Sequence, residues 1–180
     1  MTEFNSFIIS FLSSLLSSSI IIFVIFKFFK PNVKIGDSIS KEIIEGVTEY
    51  RFKFYNNSFF GAVNVTASLV YGTPTEEGDE NINLQYEEIN LTKKESFYIP
   101  PFIKTNKKTK TAPHCITIGI QDPVKLEDLI NKYGHILVFR LNLTHQLTNI
   151  SATIEKTYNR KDVIKDGKFE FGNTFNIVKI

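Results

Sequence analysis

The sequence predicts an all-β fold: an immunoglobulin-like antiparallel β-sandwich with one short helix, preceded by a single transmembrane α-helix. Three observations carry this expectation. Residues 7–26 hold no charged side chain, and at about 1.5 Å per residue they cover the roughly 30 Å hydrocarbon core of a bilayer. Beyond Pro31 the pattern turns into short alternating apolar and polar runs separated by turn residues, the signature of a two-layer sandwich. The composition agrees, because 17 Phe and 7 Tyr against no Trp and one Met describe a core of aromatic and β-branched side chains.

The 180 residues divide into a short tail (1–6), a transmembrane helix (7–29), a juxtamembrane segment with a first strand (30–46) and a sandwich domain (47–180). A formal net charge of +2 provides no field for nucleic acid. Cys115 is the lone cysteine, which excludes an internal disulfide and favours a reducing compartment.

Residues 1–6 lack Lys and Arg and carry Glu3, and no small-x-small site closes the apolar stretch. An uncleaved anchor is therefore expected rather than a signal peptide. Lys27, Lys30 and Lys34 come directly after it, so the positive-inside rule places the C-terminal domain in the cytoplasm and the N-terminus outside. These lysines also face the lipid headgroups. Against this orientation stand five Asn-x-Ser/Thr sequons, at Asn56, Asn64, Asn90, Asn142 and Asn149.

Within the helix, Ser10, Ser13, Ser14, Ser17 and Ser18 fall within about 140° of one another at 100° per residue. Ser10, Ser14 and Ser18 form a small-xxx-small pattern, which suits close packing against another membrane helix. The alternative is that each hydroxyl bonds a carbonyl of its own helix. Both readings stay open at the level of sequence.

Along the soluble part, residues 32–39 form a first strand. Tyr50–Tyr55 alternates apolar with basic side chains, the mark of a strand with one buried face. Asn56-Asn57-Ser58 is a turn, and Val63, Val65, Ala67 and Leu69 alternate in a strand expected to pair with Tyr50–Tyr55 as a hairpin. Residues 73–81, with Glu76, Glu77, Asp79 and Glu80, read as an exposed acidic loop. Residues 82–91 hold another strand. Residues 96–103 are extended and belong at an edge, since Pro100-Pro101 cannot donate to a ladder.

Lys104, Lys107, Lys108 and Lys110 make a basic loop, either a solvated tip or a contact for anionic headgroups. Ile116, Ile118 and Ile120 mark a strand over residues 114–121. A helix comes next, with Asp122 as N-cap, Pro123 at its first position and Gly134 at its exit. Leu126, Leu129, Ile130 and Tyr133 line its apolar face. Residues 135–143 and 150–158 form a strand pair, and Asp166-Gly167 introduces a last strand.

Several of these residues carry a resemblance. Arg51-Phe-x-Phe-Tyr-Asn-Asn leading to Asn64-Val-x-Ala-x-Leu69, then Val138-Phe-Arg-Leu-x-Leu-Thr144, Thr153-Ile-Glu-Lys-Thr-Tyr158 and Val163-Ile-x-x-Gly167-x-Phe-x-Phe171 resemble the cytoplasmic immunoglobulin-like domain of inward-rectifier potassium channels. The pattern is also similar to that of small one-span bacterial membrane proteins of unassigned role. The resemblance covers about a third of the chain and implies a sandwich. It does not extend to conduction, since the channel family needs two spans and a Thr-x-Gly-Tyr-Gly filter, and this sequence has neither.

Motifs for catalysis are missing from the sequence. There is no phosphate-binding glycine loop, no G-x-S-x-G elbow, and no C-x-x-C or H-E-x-x-H. His114 and Cys115 adjoin, but neighbours on a strand point to opposite faces. Arg140 interrupts an apolar strand; it either faces solvent and pairs with an acid, or contacts a ligand or partner. The expectation is a non-enzymatic membrane protein without cofactor, metal or small-molecule ligand. Its partners would be lipids and either copies of itself or another membrane protein. An accessory subunit of a multi-span channel or transporter is the second reading, and an enzyme with a dispersed site the third.

Overall fold

The computed structural model describes residues 2–75, 83–121 and 125–179, with side chains at 2, 3 and 26–28 excluded. Helix α1 runs over Thr2–Phe28 and so includes most of the segment expected as a tail. Its residues Phe4–Ile25 are long and apolar enough to cross a membrane, and none of this stretch is buried against the rest of the chain.

Beyond α1 the chain is mostly strand. β1 (Val33–Ile35), β2 (Ile39–Ile44), β3 (Val47–Asn56), β7 (Cys115–Gly119) and β10 (Ile164–Asp166) form one five-stranded sheet. β4 (Ala62–Thr75), β5 (Asn83–Ile89), β6 (Phe97–Ile99), β8 (Ile136–His145) and β9 (Ser151–Tyr158) form a second. A small ribbon joins β11 (Lys168–Phe169) to β12 (Ile177–Val178). The short helix α2 covers Leu126–Ile130.

The first expected strand is broken in two. Gly36 interrupts it, donating its N–H to the Lys53 carbonyl at 2.9 Å and accepting the Tyr158 hydroxyl at 2.7 Å. A side chain at Gly36 would run into the Phe175 ring. β1 and β2 then lie one after the other along one edge of β3, and β7 takes the other edge, since Phe54 and Tyr55 pair with both β1 and β7. β2 and β3 are joined by Glu45-Gly46, both at positive φ, the two-residue turn whose twist matches that of a hairpin.

Two expectations about pairing are corrected. β3 and β4 do not form a hairpin; they belong to different sheets. Asn56 is fully buried and directs the crossing, its amide donating to the carbonyls of Phe60 at 2.8 Å and Pro100 at 3.0 Å. Its Oδ1 accepts the N–H and hydroxyl of Ser58. The ladders are also not all antiparallel, because β10 lies parallel to β2. The run after Gly167 is also not one long strand, since it yields only β11 and β12, which pair with each other.

The inner faces of the two sheets meet through aromatic rings. Phe52 of β3 and Phe139 of β8 stack with centroids 4.9 Å apart and planes 1° from parallel, and Phe54 and Tyr158 flank them. Ile39, Leu69, Ile99, Ile118, Leu137 and Leu141 fill the same core. β3 departs from simple alternation, for Lys53 is only 3 % exposed. The C-terminal segment covers it: Lys53 Nζ donates to the Glu170 carbonyl and sits 5.8 Å from the Phe169 ring centre.

The helix after β7 is shorter than expected. Leu126 and Ile130 are buried as its pattern predicts, but Tyr133 lies beyond its end and is 95 % exposed. Asp122 and Pro123, assigned to its start, lie outside the described residues, as do Glu76, Glu77, Asp79 and Glu80 of the acidic loop. Gly134 has a left-handed φ of +76°, but it belongs to the turn beyond α2, whose C-cap is Asn131 in a right-handed conformation, so it is not the helix exit expected of it.

Candidate functional site

The place where α1 meets the β domain is built from residues far apart in sequence. The Thr148 hydroxyl donates to the Phe29 carbonyl at 3.0 Å. The Phe29 ring lies 5.5 Å from Phe60 and 6.2 Å from His145, and Phe60 packs edge-on against His145 at 5.2 Å. A web of backbone bonds ties the neighbouring loops together: Asn57 N–H to Asn32 O, Phe102 N–H to Ser58 O, and Gln146 N–H to Gly61 O. The end of the helix is thus held by the loops at 57–61 and 145–149, and residues 100–103 brace the first of these through Asn56 and Ser58. Phe28-Phe29 and Phe59-Phe60, paired aromatics at a helix end and in a polar turn, were the sequence signal for this junction.

His145 is almost fully buried there, and its Nδ1 accepts from the Thr148 N–H at 3.3 Å. That acceptor role requires the neutral ring, with its proton on Nε2. His114 is fully buried beside the Tyr55 and Phe102 rings, and neither of its nitrogens has a partner among the described residues. Burial holds both histidines below their ordinary 6.5. The unfolded chain therefore takes up protons near that pH while the folded chain resists them. Stability is expected to be constant above about pH 7 and to fall as the pH drops through about 6.5. Denaturant titrations at successive pH values check this, and His114→Phe should flatten the slope; an unchanged slope would assign the dependence elsewhere.

The other polar groups are distributed, not convergent. Arg140 on β8 faces Glu155 on β9 in register, with Nε 2.5 Å from Oε1 and both side chains over two-fifths exposed. It is engaged with an acid across the strands. Such a pair is worth about 0–1 kcal/mol, so Arg140→Ala should leave the unfolding free energy within about 1 kcal/mol of the parent. A loss of several kcal/mol in denaturant unfolding would contradict that assignment.

His135 and His145 stand at opposite ends of β8, so they serve no common centre. His135 Nδ1 pairs with the Tyr71 hydroxyl on the wall of an open cleft of about 560 Å³ that Tyr133, Asn159, Arg160 and Asp162 also line. Burial and the charge of Glu87 push the Tyr71 hydroxyl up, so it stays a neutral phenol at ordinary pH. Cys115 is half-buried, and burial pushes its thiol up although Lys53 opposes the shift; this is the reverse of an activated nucleophile.

At another edge, Glu127 accepts from Lys41 at 2.6 Å and from the Tyr50 hydroxyl. Burial raises its carboxyl, but these two bonds outweigh burial and hold it below the usual range. Glu42 is buried, with Oε1 unpartnered among the described residues, on a cavity of about 480 Å³ shared with Lys41, Asp166 and Lys179. Among the described residues no three His, Cys, Asp or Glu side chains gather as a metal-binding set.

The residues singled out in sequence take up these positions. Ser10, Ser13, Ser14, Ser17 and Ser18 are exposed on α1, and the Ser18 hydroxyl donates to the Ser14 carbonyl at 2.9 Å. Lys30 and Lys34 are exposed just beyond the helix, and the Lys27 side chain lies outside the described residues. Lys104, Lys107, Lys108 and Lys110 are exposed on a turn closed by an Asn106–Thr111 bridge. Of the five sequons, Asn56 is buried with its amide fully engaged, whereas Asn64, Asn90, Asn142 and Asn149 are exposed.

No family model matches the chain, and no curated protein does either. Among solved structures, one similar to it is the sporulation control protein Spo0M from Bacillus subtilis, at 12 % identity and a TM-score of 0.38. The similarity covers 76 % of this chain and 49 % of that one, so the chain spans about half the length of Spo0M.

Proposed function

We propose that this protein is a membrane-anchored, non-enzymatic β-sandwich of immunoglobulin-like type that binds another protein, or copies of itself, at the cytoplasmic face of a membrane. The observation that carries the reading is the bare surface of α1. Over Phe4–Ile25 the helix is apolar and none of it is buried against the β domain. In water such a surface costs about 25 cal/mol for each Å² left exposed, and a bilayer removes that cost. Lys30 and Lys34 stand directly after the helix, which favours a cytoplasmic β domain.

Association within the membrane rests on the serine face. The Ser18→Ser14 bond already satisfies one hydroxyl inside the helix, so close backbone approach, more than hydrogen bonding across helices, would drive pairing. The same bare helix also suits an accessory subunit packed against a multi-span channel or transporter. The two differ in what co-purifies: copies of this chain, or a multi-span protein.

The test is purification of the full-length chain from its native membrane in mild detergent. The expected result is retention in the membrane through an alkaline carbonate wash, then isolation as an oligomer or with a bound membrane protein. Ser14→Ile should weaken that association. Release by carbonate would end the membrane reading, and a carbonate-resistant monomer without partners would end the association reading. Protease added to right-side-out vesicles should leave the β domain intact, and its digestion there would reverse the orientation.

A further inference from the structure

The loops that clasp the end of α1 carry an uncovered apolar rim. Phe59 is 92 % exposed and Leu147 61 %, and both adjoin residues bound to Phe29: Phe60 through its ring, Thr148 through its hydroxyl. Phe102 and Ile103 are exposed as well, and the Phe102 N–H is bonded to Ser58 O. Tyr98 completes the rim, its hydroxyl turned to Gln146 at 3.4 Å. These side chains come from three separate loops and from β6, yet they lie together on the segments around the end of α1.

Resting on the reading of α1 as a membrane span, we infer that this rim is seated in the acyl–headgroup boundary of the same bilayer, with the basic turn at Lys104–Lys110 over anionic headgroups. Two observations select lipid as the occupant. The rim is continuous with the span, since Phe29 and Thr148 hold the loops against the last turn of a helix whose preceding residues lie in hydrocarbon. Its charge is also complementary: residues 97–121 contain four lysines and no acid, and each basic side chain near an anionic surface is worth about 1 kcal/mol. Tyrosine and phenylalanine at such a depth match the preference of aromatic rings for the interface. The domain would then stand on the membrane in a fixed pose, not swing from a tether.

The absence of tryptophan from the sequence makes the inference directly measurable, because each introduced indole reports alone. Full-length single-tryptophan variants Phe59→Trp, Leu147→Trp, Leu15→Trp and Tyr133→Trp are placed in phosphatidylcholine–phosphatidylserine nanodiscs, with and without shallow-brominated phosphatidylcholine. Leu15→Trp reports on the span itself. Tyr133→Trp reports on the far end of the domain, on the order of 40 Å away along β4. The expected result is blue-shifted emission and its quenching on bromination at positions 59 and 147, as for side chains seated at the headgroup–acyl boundary, with position 133 unaffected. Quenching at 15 but not at 59 and 147 would overturn the seated rim and leave the span intact, whereas no quenching at 15 would remove the span reading and this inference with it. Blue-shifted but unquenched emission at 59 would put a second protein surface there and equally overturn it. Ile103→Trp should be quenched more when phosphatidylserine is present than in phosphatidylcholine alone, and equal quenching would overturn the headgroup contact.

Discussion

Phe139→Ala is expected to cost the β domain about 3–5 kcal/mol, the range for removing a fully buried aromatic ring. Phe139 is 0 % exposed and lies in the middle of β8, paired with β4 on one side and β9 on the other. Its ring is parallel to that of Phe52 at 4.9 Å and lies 5.9 Å from Phe54. The substitution opens a cavity where the two sheets touch, and β-sheet backbones on both sides limit collapse into it. Domains of this size have only about 5–15 kcal/mol to lose, so the variant should unfold at markedly lower denaturant. Phe139→Leu keeps most of the volume and should lose clearly less. A cost below about 1 kcal/mol for the alanine variant in denaturant unfolding would mean the sheets do not meet at this pair.

The second large effect is expected at Asn56, where alanine should cost about 2–4 kcal/mol through buried groups left unpaired. The Pro100 carbonyl loses its side-chain donor and the Ser58 N–H its acceptor, whereas the Ser58 hydroxyl can still donate to the Phe60 carbonyl at 2.7 Å. Because this side chain directs the crossing from one sheet to the other, the variant should also loosen the 57–61 loop. Hydrogen exchange at Ser58 and Phe102 reads that loosening separately from global stability. Unchanged exchange together with a loss under about 1 kcal/mol would show that the crossing is held by other contacts.

Much of the strand content was legible, and the reason is period. β3, β4, β7, β8 and β9 carry alternating patterns with clear turns between them, and the β8–β9 pair joins as its spacing implies. Pairing across the fold was less legible. Six residues between Tyr55 and Ala62 suit a hairpin loop as well as a crossing, and only the buried contacts of Asn56 decide between them. Lys53 reads as a solvent-facing residue because nothing local reveals that residues 169–175 return to cover it. Tyr133 keeps helical spacing with Leu126 and Ile130, but α2 ends before reaching it.

The junction at Phe29, Phe60 and His145 draws together distant parts of the chain, beyond the reach of any periodicity. Its local trace was two phenylalanine pairs in places where neither a strand nor a turn needs them. Arg140 was legible in type, a charge in an apolar strand, though its partner Glu155 is given only by the register of β8 and β9.

The parallel pairing of β10 with β2 has a consequence for timing. Ser40 donates its hydroxyl to the carbonyl of Gly167, 127 positions later in the chain, and Ile39 faces Ile164. During synthesis at roughly 5–20 residues per second, β2 waits many seconds for β10 to emerge. Contacts so distant in sequence slow folding, because loop closure is paid before the pairing rewards it. Over that interval the edge of β2 is an open ladder, and chaperone capture or pairing between nascent chains competes for it until the last strands arrive.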